Sequence, residues 1–124
     1  MTNPDQIIEA AIVAAGANVA PRVTPADVEA NIASEHYFTA AHGVHGTHEV
    51  PGNSEGWSIP PSLDLLMFCV LVLQNGCTVT GESACASPEG FNTKIGRRIA
   101  RENAMAKVWP LMGYALRSKL AGKE

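Results

Sequence analysis

Histidine, the side chain most often used for zinc ligation and proton transfer near neutral pH, is concentrated in one part of this chain. In the stretch AAHGVHGTHEV, His42, His45 and His48 recur at every third position, and His36 lies just upstream. Three imidazoles with an open fourth position would make a catalytic zinc site, with Glu35 or Glu49 available as a further ligand. Helical metal motifs such as H-E-x-x-H hold two histidines on one face and supply a base between them. Here the three histidines are separated by glycines, and the surrounding residues predict a loop with no scaffold to fix ligand geometry. The expectation is therefore no bound metal and no cofactor, with His42, His45 and His48 as the only metal candidates. His36 is expected on the apolar face of a helix as a core or helix-end histidine.

Two other groups of residues bear on chemistry. GESAC, Gly81 to Cys85, resembles the G-x-S-x-G nucleophile elbow. It ends in Cys85 where the elbow needs glycine, and no histidine follows it to complete a triad in the hydrolase order. Three cysteines, Cys69, Cys77 and Cys85, stand eight residues apart. An odd count without C-x-x-C predicts free thiols and neither a disulfide framework nor a zinc ribbon. The stronger pattern is cationic. Lys94, Arg97, Arg98 and Arg101 fall on one stripe of a predicted helix, a surface suited to phosphates or to an acidic partner.

The elements that must position these residues are legible in part. NPDQIIEAAIVAAGANV reads as a first helix with Ile7, Ile8, Ala11, Ile12 and Ala15 on one face and Gly16 and Asn18 as stop signals. VTPADVEANIASEHYF reads as a second, with Thr24 as cap, Pro25 at the first helical position and Asp27 completing a capping box. Residues 43–62, rich in Gly, Pro, Ser and Asn, predict a long flexible loop anchored by Trp57.

Asn75-Gly76 between two strand-like runs is a hairpin signature. A two-residue turn would place Val72 opposite Val79, Leu71 opposite Thr80 and Val70 opposite Gly81. Phe68, Val70, Val72, Cys77 and Val79 would then share one face. Met67, Cys69, Leu71 and Leu73 would share the other with Thr78, Thr80 and Glu82. The first strand is apolar on both faces, which asks for cover from two directions and points to a second copy. The expected oligomer interface is Met67, Cys69, Leu71, Leu73 and Trp109.

Capped at Asn92, NTKIGRRIARENAMAKVW predicts a helix that Pro110 stops. Its Ile95, Ile99 and Ala106 ridge is expected against the hairpin, and Gly96, Ala100 and Ala104 form a small-residue groove suited to close packing. Gly113 reads as a turn before a short last helix. The fold class is thus α+β: two N-terminal helices, a long Gly/Pro-rich loop, and an antiparallel β-hairpin packed on a C-terminal helix. The 124 residues fit one domain, in which residues 1–23 could form a separate helical arm.

Composition narrows the function classes. Hydrophobic residues make up 46% of the chain, a globular share that argues against wholesale disorder. Its longest uncharged apolar run, LLMFCVLVL, falls well short of the ~20 residues of a membrane span. No basic and apolar leader follows the initial Met, so a secretory signal is not expected. The net charge of −3 hides an asymmetry. Residues 1–86 carry one base, Arg22, against nine acids, a net −8; residues 87–124 carry eight bases against three acids, a net +5. Such polarity favours contact between copies, an acidic partner, or mutual neutralisation within the fold.

Four segments carry a family resemblance: SEHYFTAA, FCVLVLQNG, TVTGESACASPEGF and IGRRIARENAMAKVWPLMGYAL. Together the chain resembles the gp-forty-nine family of small tailed-phage and prophage proteins, of the coliphage N-four type, over roughly residues 24–118. The resemblance implies a phage or prophage origin, a host bacterial cytoplasm and an accessory role. It brings no catalytic residues. The His42, His45 and His48 cluster and Cys77 depart from the family's pattern, which further lowers the metal reading. The functional expectation is a non-enzymatic, homo-oligomeric protein that binds a host factor through Lys94, Arg97, Arg98 and Arg101. That factor would be a defence protein or a small nucleotide signal. Alternatives are nucleic-acid binding by the same stripe and a metal-dependent enzyme built on the histidines.

Overall fold

Thr24 closes the first well-defined cap of the chain. Its Oγ1 accepts the Asp27 N–H at 3.1 Å while Asp27 Oδ2 accepts the Thr24 N–H at 2.9 Å, the reciprocal capping box. The computed structural model describes residues 4–16, 20–47 and 59–122. Helix α1 spans Pro4–Ala14 and the capped helix α2 spans Pro25–Ala30. Strand β1 follows at Ile32–Thr39, then helix α3 at Ala40–Thr47 and a 3-10 turn at Pro61–Leu65. Strands β2, Leu66–Leu73, and β3, Thr78–Ala84, lead to the long helix α4, Thr93–Leu120. The architecture is α+β: a three-stranded antiparallel sheet in the order β1-β2-β3 with α4 packed across one face.

Several sequence expectations are corrected here. The second helix ends after six residues and the chain turns into β1, so Ile32 and His36 leave the helix assigned to them. An apolar central strand with only one neighbour would leave a row of backbone groups unpaired, and β1 pairs along it from Thr39 opposite Met67 to Ile32 opposite Leu73. Long-range ladder bonds outweigh the helical spacing of Val28, Ile32 and His36. Part of the predicted loop is also structured, as α3 and the 3-10 turn. His48, Glu49, Asn18 and Trp57 lie outside the described residues.

The hairpin forms, in a register one residue away from the expected one. Leu73 N–H donates to Cys77 C=O at 2.8 Å, so the turn holds three residues, Gln74, Asn75 and Gly76. Gly76 takes φ +89°, a left-handed conformation that glycine adopts without steric cost. Leu71 now faces Val79, and Cys69 faces Gly81. This one-residue change puts Val79 and Gly81 on the α4 side and sends Thr78, Thr80 and Glu82 to the other. Cys77, beyond the strand, is exposed, Cys69 is buried, and all three cysteines are free thiols.

Met67, Cys69, Leu71 and Leu73 join Val28, Val79, Ala100, Ala104 and Val108 in the core. Fully burying a side chain such as Leu71 or Val108 stabilises the fold by roughly 2 kcal/mol. Met67, Cys69, Leu71 and Leu73, expected at an oligomer interface, are therefore buried in the core of the chain itself. Trp109 is half-buried against this core, and its indole N–H donates to Asp5 Oδ2 on α1 at 3.0 Å. The opposite face of β2 carries Phe68, Val70 and Val72, all half-buried, with Phe38 stacked on Phe68 at 5.6 Å between ring centroids.

The face that α4 turns to the sheet is not the isoleucine ridge. Gly96, Ala100, Ala104 and Val108 are buried, whereas Ile95 and Ile99 remain 57% and 42% exposed. The cause is Gly81. A Cβ there would lie 2.2 Å from Ala100 C=O and 2.3 Å from Ala104 N, so helix and strand backbones meet where only glycine fits. Isoleucines would hold the helix too far from the sheet for this contact. α4 also continues through Pro110 and Gly113 to Leu120 as one helix. Pro110 cannot donate to Ala106 C=O, but both residues are exposed and water can satisfy that carbonyl. Met112 and Leu116, on the inner side, hold the helix down past the interruption.

Candidate functional site

The predicted cationic stripe lies on the first half of α4, started by Asn92, whose Oδ1 accepts the Ile95 N–H at 3.1 Å. The structure does not leave its four residues equivalent. Arg101 turns inward. Its Nη1 and Nη2 form a fork onto the Glu29 carboxylate at 3.1 and 2.9 Å, and its Nε donates to Glu35 Oε2 at 3.0 Å. One guanidinium thus joins α2, β1 and α4. The Glu29 hydrogen bonds, and then those of Glu35, hold Arg101 well above its ordinary pKa. The same contact, reinforced by Tyr37, lowers the Glu35 carboxyl.

Arg97 stands over the Tyr37 ring at 5.3 Å from its centroid, a cation–π contact. Tyr37 in turn donates its hydroxyl to Glu35 Oε1 at 3.0 Å. Burial, followed by that carboxylate, pushes the phenol upward, and burial does the same to the Cys69 thiol. Arg98 pairs with Glu102 one turn on, at 3.3 Å, and both are half in solvent. Lys94 is exposed. The charge asymmetry is in part consumed internally, because Arg101 pairs with two acids of the N-terminal half. Within that half, Arg22 makes a two-point contact with Glu9.

What the sequence reading missed is the apolar part of this face. Ile95 and Ile99, assigned to the core, lie on the solvent side of α4 beside Lys94, Arg98 and Glu102. The signal was present in the spacing of Gly96, Ala100 and Ala104, because two helix stripes cannot both face one thin sheet. The result is an exposed apolar pair bordered along one edge by Lys94, Arg98 and Glu102.

The histidines are placed apart. His36 sits on the outer face of β1, with Nε2 3.0 Å from Ser34 Oγ. His42 takes the third position of α3, where its Nδ1 accepts the Thr39 N–H at 3.1 Å while Thr39 Oγ1 accepts the His42 N–H at 3.2 Å. It replaces the acid of a capping box. His45 is exposed one turn further along α3. Among the described residues, no group of three or more His, Cys, Asp or Glu is arranged to hold a metal ion. In the GESAC segment, Gly81 serves helix packing, Ser83 faces Met67, and the Cys85 thiol donates to Ser87 C=O at 3.1 Å.

Among the described residues no helix is long and apolar enough to cross a membrane. Neither a curated protein nor a solved structure matches this chain. A family model does match, over residues 23–120, which include every strand and the whole of α4. The capped α2, the three-stranded sheet and the glycine-seated α4 are thus features of a member of the phage protein (N4 Gp49/phage Sf6 gene 66) family, to which this chain belongs.

Proposed function

We propose that this phage protein is a non-enzymatic accessory protein that acts in the host bacterial cytoplasm by binding a host defence protein. The observation that supports this reading is the exposure of Ile95 and Ile99 beside Lys94 and Arg98 on the outer face of α4. Large apolar side chains on a helix already satisfied on its inner side have no role in the chain's own core. Their burial at an interface supplies affinity, and the adjacent cations supply orientation and rate. Arg101 is not part of the contact surface, because its hydrogen bonds are committed to Glu29 and Glu35.

The test compares the wild-type chain with an Ile95→Asp, Ile99→Asp double variant during phage infection. Loss of a copurifying host protein and of phage protection, with unchanged thermal stability, is the expected outcome. Retention of the same partner would overturn the reading. Nucleic-acid binding by the stripe is weakened by the internal use of Arg101 and by Glu102 alongside Arg98. It requires an affinity that falls steeply with salt, measurable on duplex and single-stranded DNA.

A further inference from the structure

Asn75 and Gly76, which mark the hairpin turn, also carry chemistry. Asn75 is the only asparagine of the sequence that a glycine follows. Both residues are exposed to water, and nothing lies within 4 Å of the place a Gly76 Cβ would take, so the Gly76 nitrogen has no side chain shielding it. We propose that Asn75 is a modification site, at which water converts the side-chain amide to a carboxylate through a cyclic imide, and that the native turn holds this reaction back until the hairpin opens.

The reaction needs no partner but water. The Gly76 nitrogen gives up its proton and bonds to Asn75 Cγ, the Cγ–Nδ2 bond breaks, and the amide nitrogen leaves as ammonia. The nitrogen of Gly76 then joins both carbonyl carbons of residue 75 in an imide ring. Water adds to one of them, and the bond from that carbon to the Gly76 nitrogen breaks. Opening at Cγ leaves aspartate on the original backbone. Opening at the main-chain carbon leaves isoaspartate, in which the chain runs through Cβ and Cγ.

Ring closure requires rotation about the backbone and side-chain bonds of Asn75, and the fold opposes both. Gly76 N–H donates to Leu73 C=O at 2.9 Å, and Cys77 N–H donates to Asn75 Oδ1 at 3.0 Å. Backbone rotation breaks the first bond and side-chain rotation breaks the second. The turn is also clamped to the end of α2: Gln74 N–H donates to Asn31 C=O at 2.9 Å, and Gln74 Nε2 donates to Ala30 C=O at 3.3 Å. Conversion therefore follows the small population in which these bonds are open. The two products differ in consequence. Aspartate keeps the turn length and still offers an oxygen to Cys77 N–H. Isoaspartate lengthens a turn whose length sets the register of β3, and that register seats Val79 opposite Leu71 and Gly81 against α4.

Peptide mass spectrometry of the full chain tests this, after incubation in reducing, mildly alkaline buffer with and without guanidinium chloride. The mass gain of amide-to-acid conversion should appear at Asn75 in denaturant, and at least about tenfold more slowly in native buffer. The aged chains are then separated and refolded by dilution. Chains with aspartate at position 75, and an Asn75→Asp variant, should regain the wild-type circular dichroism spectrum and unfolding midpoint; chains with isoaspartate should not. Absence of conversion in denaturant, equal rates in the two conditions, or isoaspartyl chains that refold to the wild-type midpoint would each overturn the proposal. The rate comparison uses the wild-type chain alone, so it decides even if Asn75→Asp fails to fold.

Discussion

Gly81 decides more of this structure than any other residue. Its missing Cβ lets α4 approach until the Ala100 carbonyl and Ala104 nitrogen occupy the space a methyl group would need. Gly81→Ala should cost about 3 kcal/mol or more, because the clash is with backbone and cannot be relieved by a rotamer change. A urea midpoint equal to wild type would show that α4 can lift off the sheet without loss. At Glu35 the effect is electrostatic. Its carboxyl is lowered from 4.5 by the Arg101 hydrogen bond and then by Tyr37, so it contributes stability above that value and loses it as pH falls through the folded pKa. Glu35→Gln should therefore be less stable at neutral pH and show a shallower loss on acidification to about pH 3.5. Urea unfolding at the two pH values checks both, and parallel curves for wild type and variant would contradict the assignment.

At the scale of elements, α4 and the hairpin show how local rules are overridden. Pro110 is a stop signal by its chemistry, yet the helix runs through it because Met112 and Leu116 remain packed on the inner side. The interruption still costs stability. Pro110→Ala restores an N–H for Ala106 C=O and should stabilise the protein by about 2 kcal/mol, after the loss of proline's restriction on the unfolded chain is subtracted. Thermal unfolding reads the change directly; a lower midpoint would mean that the proline bend is needed for packing. The hairpin illustrates the reverse case. Asn75-Gly76 correctly marks the turn, but the bond from Leu73 N–H to Cys77 C=O adds Gln74 to it and shifts every residue of β3 to the other face.

For the molecule as a whole, stability should be unevenly distributed. The centre of β2 and the Gly96-to-Val108 stripe of α4 carry most of the buried side chains, whereas α1 has none and is tied through Asp5 to Trp109 and through Glu9 to Arg22. Native-state hydrogen exchange should find the slowest amides at Cys69, Leu71, Ala100 and Ala104, and early exchange throughout α1. Protection of α1 equal to that of β2 would refute this ordering. The charge polarity also takes on its meaning at this scale. Arg101 brings a cation of the C-terminal half to Glu29 and Glu35 of the N-terminal half, so part of the −8 and +5 imbalance is a folding device within one chain.

What the sequence determined by itself was local. The caps at Thr24 and Asn92 satisfy N–H groups three residues away, the turn at Asn75-Gly76 needs a left-handed residue, and the run from Leu66 to Leu73 must be buried; each follows from neighbours a few positions apart. The α+β class and the family resemblance rest on these segments. Tertiary structure alone decided that Ile32–Thr39 is a strand, which stripe of α4 faces the sheet, and that Arg101 serves the fold while Ile95 and Ile99 face solvent. Those choices depend on contacts between distant positions: Gly81 with Ala100 and Ala104, Glu29 with Arg101, Thr39 with Met67. Periodicity records that a helix has two usable stripes. Only the shape of the opposing backbone selects between them.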